Sequence, residues 1–257
     1  MNAPLSPERL EGRVAFISGA GHGIGRATAL AMARLGATVG VNDLKADFVE
    51  DTVAEIRRLG GKAVAVPQDV SSRDGMRLAV QRLHTDAGRL DVMVNNAAWV
   101  RYQPLAEITP EVMDRMVEIG FKSVIWGIQA AAELMDPERG GSVVNVASIA
   151  GFKSPARSVV YSGLKAGVLG ITRAAAADLG SRGIRVNAVA PGAVPTEGTA
   201  KHRNAELDAK RIARTPLGRL GTVEDIADAI CFLAGDGSRF VNAEVIRLDG
   251  GASETSL

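Results

Sequence analysis

Tyr161 stands four residues before Lys165, and Ser148 stands thirteen residues before Tyr161. On a helix, a spacing of four stacks two side chains on one face, close enough for an ammonium to act on a phenol. A free phenol ionises near pH ~10, too high for ready proton exchange at neutrality, and a neighbouring positive charge lowers that value. Tyr161 is therefore a candidate general acid/base, Lys165 a group that tunes it, and Ser148 a hydroxyl able to hydrogen-bond an oxygen whose charge changes. An ordinary half-buried tyrosine beside a solvated lysine has the same spacing, so the surrounding elements must decide.

Short runs rich in valine and isoleucine recur at 13–18, 38–43, 62–69, 91–96, 142–148, 184–191 and 244–249. Apolar on both faces and bounded by turn residues, they suit strands of a parallel sheet covered on both sides. Segments of helical periodicity lie between them, as in the stretches from Ile24 and from Asp47, each ending at a glycine suited to a helix C-terminus. Thr109, Pro110 and Glu111 read as an N-cap, a proline at the first helical position and an acidic first turn, opening a long helix that stops before Pro137. The alternation predicts an α/β fold, a single-domain Rossmann-type doubly wound sheet of about seven parallel strands with helices on both faces. It would span 13–251, with an N-terminal extension at 1–12 and a tail at 252–257. The polar, charged stretch 193–215 follows a strand without strand character of its own; it is either a surface excursion or, as expected of so long a loop, a lid over a site.

Lys and Arg number 30 against 29 Asp and Glu, a formal charge of +1, which gives no electrostatic footprint for nucleic acid or an anionic membrane. A small molecule or another protein is the expected partner. The lone Cys231 excludes an intrachain disulfide and a cysteine-based metal cluster, and His22, His84 and His202 lack metal-ligand spacing, so no metal is expected. The first residues carry no apolar signal region and no stretch approaches a membrane span; a reduced, cytoplasmic, soluble protein is the expectation.

The first strand is followed by glycines at Gly19, Gly21, Gly23 and Gly25, with His22 and Ile24 between them. Glycine there permits a tight turn, close approach to a pyrophosphate, and helix-on-strand packing, while the helix N-terminus offers amides to the anion. Opening the first helix after the first strand, this loop reads as a dinucleotide site. Asp43 ends the second strand, about twenty residues past the loop, where a carboxylate accepts from both adenosine ribose hydroxyls and repels a 2′-phosphate. That favours NAD over NADP, although Asp43 is also placed to cap the next helix and Lys45 lies near enough to soften the repulsion.

The glycine pattern, Asp69-Val70, Asn95-Asn96-Ala97, Ser148, Tyr161-x-x-x-Lys165, Pro191-Gly192 with Thr196, and Asp249-Gly250-Gly251 occur in one order along the chain. In this the sequence resembles the short-chain dehydrogenases/reductases over nearly its whole length. The resemblance implies a catalytic set of Ser148, Tyr161 and Lys165, with Lys165 also holding the nicotinamide ribose. It implies that Asp69 and Val70 bracket the adenine, that Asn95 steadies the sheet beside the cofactor together with Ala97, and that Pro191, Gly192, Val194 and Thr196 meet the carboxamide. A homotetramer formed through the helices from Pro110 and from Pro155 is implied as well. Trp99, Arg101, Tyr102, Ile149 and Phe152 are candidates for the substrate pocket, Arg101 being equally readable as a solvated surface residue.

Gly120 stands where the family carries an asparagine thought to hold a water that links the lysine to solvent. Glycine costs a helix interior about 1 kcal/mol relative to alanine, so the position calls for a purpose; a water filling the amide's place is the expectation. Ala98 replaces a family glycine and Trp99 follows it. The expected activity is NAD-dependent interconversion of a secondary alcohol and a ketone by hydride transfer, with Tyr161 as acid/base. The alternatives are NADPH-dependent reduction of 3-oxoacyl-type carbonyls, and a dinucleotide-binding protein whose catalysis Gly120 has weakened.

Overall fold

The computed structural model describes residues 10–198 and 204–255. All seven expected strands form: β1 (Val14–Ile17), β2 (Thr38–Asp43), β3 (Lys62–Pro67), β4 (Val92–Asn95), β5 (Gly141–Val146), β6 (Ile184–Pro191) and β7 (Val245–Leu248). They make one sheet in the order β3-β2-β1-β4-β5-β6-β7, every pairing parallel. The helices are α1 (Gly23–Arg34), α2 (Ala46–Arg58), α3 (Arg73–Ala87), α4 (Pro110–Val117), α5 (Ser123–Leu134), α6 (Val159–Leu179), α7 (Ala205–Ala213) and α8 (Val223–Ala234). Among the described residues, none of them is long and apolar enough to cross a membrane.

Alternate side chains of β1 feed two cores. Ala15 and Ile17 pack with α1, α2 and α8 on one face, and Val14 and Phe16 with α3, α5 and α6 on the other. Each large side chain fully withdrawn from water contributes about 1.5–3 kcal/mol, which is why strands buried on both faces read as unbroken apolar runs. Strand order reverses between β1 and β4, and the carboxyl ends of those strands part there to leave a crevice.

Some elements differ from expectation. Leu10, assigned to the extension, is fully buried, and its N–H donates to Leu35 O at 3.0 Å, so the packed body begins before Arg13. Residues 1–9, 199–203 and 256–257 lie outside the described residues, which removes part of the expected extension, lid and tail. The second long helix starts at Val159 rather than at Pro155. The helix from Pro110 is interrupted by a π-helical turn, Glu118–Lys122, centred on Gly120. Glycine has low helix propensity, and the Ser123 hydroxyl donates to Ile119 O at 2.6 Å, competing with the regular backbone ladder.

The interior also holds a polar chain: Asn95 Nδ2 donates to Asn145 Oδ1 at 2.9 Å, and Asn145 Nδ2 to Thr172 Oγ1 at 3.0 Å. It ties β4 and β5 to α6 and requires Gly127 on α5, where a Cβ would lie 1.9 Å from Asn95 Oδ1. Gly127→Ala is expected to cost about 1–3 kcal/mol through overpacking, read as a lower denaturant midpoint. An unchanged midpoint would mean that the Asn95 amide is free to swing aside.

Candidate functional site

A cleft of about 1010 Å³ opens at the carboxyl ends of the strands, lined at one end by the glycine loop, β2 and the residues after β3, and at the other by Trp99, Tyr102, α4 and α7. Ser148, Tyr161 and Lys165 line its middle.

The loop is shaped by contacts only glycine allows. Gly19 has φ +64° and lies so close to β4 that a Cβ would stand 3.0 Å from Ala97 Cα. A Cβ on Gly25 would be 2.1 Å from Gly19 O, so α1 can sit tightly under its own loop only without a side chain there. Gly19, His22, Gly23 and Ile24 line the cleft, whereas Gly21 and Gly25 shape the loop from behind. The loop is latched to β4: Asn96 Nδ2 donates to Ser18 O at 2.9 Å and Gly19 O at 3.0 Å, and Ser18 Oγ accepts from the N–H groups of Asn96 and Ala97.

Asp43 accepts from Gly21 N–H at 3.2 Å and Lys45 N–H at 3.3 Å, and its carboxylate lies 3.7 Å from His22 Nδ1. Burial pushes the Asp43 carboxyl up, but the His22 ring and the two amides outweigh it and hold it below its ordinary value. The Asp43 carboxylate in turn raises His22 above its ordinary value against the opposing effect of burial. Asp69 and Val70 line the same end, and Asp69 turns its Oδ1 onto Ser71 N–H at 2.9 Å.

Ser148 follows β5 in extended conformation, its Oγ accepting from Ala150 N–H at 3.1 Å. Tyr161 and Lys165 share one face of α6. Lys165 is almost fully buried; its Nζ donates to Val146 O at 2.6 Å and lies 5.9 Å from the Tyr161 ring centroid. Burial lowers the Lys165 ammonium to about 8. Burial also raises the Tyr161 phenol, with the Ser148 hydroxyl pulling in the opposite direction. The sequence-based expectation was a lowered phenol. In the protein alone desolvation dominates, because the ammonium lies against the ring and spends a proton on a backbone carbonyl.

Pro191, Gly192, Val194 and Thr196 all reach the cleft after β6. Gly192 must lack a side chain, since a Cβ would lie 2.7 Å from that of Asp249, whose carboxylate accepts from Gly251 and Ser253 N–H in the following turn. Next to Thr196, Glu197 extends an exposed carboxylate to the N-terminus of α1, accepting from Gly23 N–H at 3.1 Å.

Several expected residues lie elsewhere. Asn95 is buried in the interior chain, and its neighbour Asn96 meets the cleft, because consecutive residues leaving a strand point to opposite sides. Arg101 lines a separate small crevice with Gln103, Met116 and Arg157. Ile149 and Phe152 do not line the main cleft; Phe152 is exposed, and the Arg247 guanidinium lies over its ring at 4.9 Å. Trp99 and Tyr102 do line it: Arg115 lies over Trp99 at 4.8 Å, and the Tyr102 ring meets Tyr161 edge-on at 5.7 Å. Sequence reasoning missed Asn96 and Glu197. The adjacent Asn95-Asn96 pair at a strand end carried a signal for the first; nothing local marked the second.

Residues 19–253 match the family described as enoyl-(acyl carrier protein) reductase. The chain is 39% identical over 243 residues to a 3-oxoacyl-[acyl-carrier-protein] reductase of Thermotoga maritima, covering 95% of this chain and 98% of that one. A short-chain type dehydrogenase/reductase from Mycobacterium marinum superposes with a TM-score of 0.90 at 32% identity, covering 96% and 97% of the two chains. The chain is a short-chain dehydrogenase/reductase. A 7α-hydroxysteroid dehydrogenase, solved with NADH and a 7-oxo bile acid, superposes with a TM-score of 0.94 at 32% identity over 98% of this chain and 99% of that one. Membership makes the protein an oxidoreductase that takes a nicotinamide dinucleotide, and the cleft fits one: a loop kept free of side chains faces a helix N-terminus, and a carboxylate waits at the end of β2.

Gly120 departs from the family pattern. A Cβ at 120 would point at Leu164, 3.2 Å from Cδ1 and 3.6 Å from Cδ2, so an apolar group fills that direction.

Glu197 presents a negative charge to the amide where a short-chain dehydrogenase/reductase receives a pyrophosphate. Glu197→Gln is expected to tighten dinucleotide binding by about two- to fivefold, the scale of one charge at a helix N-terminus. Titration calorimetry checks this, and an unchanged or weaker constant would contradict it.

Proposed function

We propose that the protein is an NAD-dependent dehydrogenase that interconverts a secondary alcohol and a ketone, with Tyr161 as general acid/base. The observation that carries the reading is the convergence of Ser148, Tyr161 and a buried Lys165 midway along the cleft that begins at the glycine loop. Dinucleotide binding alone requires no such set, which speaks against a binding protein without turnover.

A nicotinamide dinucleotide held in this cleft would supply the hydride acceptor for oxidation of a carbinol carbon, or the hydride donor for reduction of a ketone. In the oxidative direction Tyr161 takes the hydroxyl proton as the carbon–hydrogen bond breaks, leaving a carbonyl; Ser148 hydrogen-bonds that oxygen as its charge changes. Lys165 holds the nicotinamide ribose with the protons it does not give to Val146, and its charge favours the phenolate. Asp43 selects NAD by accepting from the adenosine ribose. Asp69, Val70, Pro191, Gly192, Val194 and Thr196 take the cofactor contacts expected of them.

The substrate end supports a small free alcohol. Trp99 and Tyr102 supply apolar faces, while Glu111, Asp114, Glu118 and Asp208 outnumber Arg115 and Arg211 along the walls. A predominance of carboxylates is a poor surface for an acidic carrier protein, which weighs against the 3-oxoacyl reading that the Thermotoga maritima relative raises. α7, which brings Asp208 and Arg211 to the cleft, suits the lid reading of 193–215. Exposed Met113, Ile125 and Val159 on α4, α5 and α6 support a homotetramer built on those helices. A cytoplasmic location fits a chain whose single cysteine, Cys231, is buried.

Tyr161→Phe is expected to lower kcat by about 10²–10⁴-fold while leaving NAD affinity within about twofold, measured by reduced-nicotinamide absorbance with cyclic, aromatic and polyol alcohols. Retained turnover would overturn the assignment.

A further inference from the structure

The end of the cleft at β2 carries a feature that its reading as a ribose site does not use. His22 and Asp43 face each other across 3.7 Å, both on the cleft wall, with the His22 side chain nearly half exposed and that of Asp43 almost covered. Lys45 Nζ lies 4.8 Å over the Phe48 ring, and that ring meets His22 edge-on at 5.8 Å, so imidazole, carboxylate and ammonium enclose one small region. The charged groups that face His22 are Asp43 at the end of β2, Lys45 at the start of α2, and Glu197 from the segment after β6.

We propose that His22 sets the choice between NAD and NADP by titrating against Asp43; this rests on the reading of Asp43 as the ribose carboxylate. With His22 neutral, Asp43 and Glu197 outnumber Lys45, and the Asp43 carboxylate accepts from both ribose hydroxyls and repels a 2′-phosphate. With His22 protonated, the imidazolium offsets that charge while Lys45 balances Glu197, so the region is close to neutral and a 2′-phosphate meets an imidazolium donor where it met a barrier. The sign follows from the surroundings: both carboxylates facing His22 favour its charged form and only Lys45 and burial oppose it, so the ring takes up its proton at a higher pH than a free imidazole. Discrimination against NADP is therefore strongest at alkaline pH and declines as pH falls. Asp43 does not supply this switch itself, since its carboxyl is held below its ordinary range and remains ionised throughout.

The test is calorimetric binding of NAD and NADP to the full chain between pH 6 and 8.5, for the native protein, His22→Asn, His22→Lys and Asp43→Asn. The ratio of the NADP to the NAD dissociation constant is expected to fall three- to tenfold more in the native protein than in His22→Asn on going to pH 6. This difference removes the titration of the cofactor's own 2′-phosphate, which both proteins experience alike. His22→Lys is expected to show the low-pH ratio at every pH. Equal pH dependence in the native protein and His22→Asn would overturn the proposal. Failure of the underlying reading looks different: Asp43→Asn would then leave the ratio at pH 8.5 unchanged.

Discussion

A buried ammonium organises the site. Lys165 lies almost wholly out of water and anchors one of its protons on Val146 O at the end of β5. An unpaired charge in such a position is costly, so the ion is kept only where fixed acceptors receive it. That hydrogen bond fixes the start of α6 against the sheet, and with it the position of Tyr161 one turn earlier and of Ser148 just past the same strand. Burial tends to strip the lysine of its proton and to keep the phenol protonated. Both tendencies are those of a site that is incomplete until more charge and more hydrogen-bonding groups arrive, which is what a nicotinamide dinucleotide supplies.

The two ends of the cleft treat charge differently. At β2, one carboxylate is surrounded by two amides, an imidazole and a nearby ammonium, an arrangement that fixes its ionisation and leaves its net charge adjustable. At the other end, carboxylates of α4 and α7 stand beside an arginine spread over Trp99 and a tyrosine set edge-on to Tyr161. Burial pushes the Tyr102 phenol up to about 12, so it stays a neutral donor beside the reacting position.

The sheet was legible because its strands are buried on both faces and therefore announce themselves as uninterrupted apolar runs. The glycine loop was legible because only glycine fits within 2.1 Å of a carbonyl at Gly25, and the Tyr161–Lys165 pair because helical spacing fixes which side chains share a face. Residues just beyond strand ends were less readable. One step of alternation separates Asn95 in the interior from Asn96 in the cleft, and Arg101, Ile149 and Phe152 lie near the chemistry in sequence yet outside the cleft. The π-helical turn was marked in the sequence only by Gly120 itself, an unusual residue for a helix interior. The burial that raises Tyr161 in the protein without cofactor was not legible either: sequence shows the neighbouring charge and hides the depth of burial.

With only two tyrosines in the chain, the state of the phenol proposed as acid/base is open to direct observation. In Tyr102→Phe protein labelled with ¹³C at tyrosine Cζ, a single resonance reports Tyr161 across a pH titration with and without NAD⁺. Ionisation above the ordinary phenol range in the protein alone, moving to lower pH when NAD⁺ binds, is the predicted result. A Tyr161 resonance whose titration is unmoved by the cofactor would contradict the assignment of Tyr161 as the acid/base.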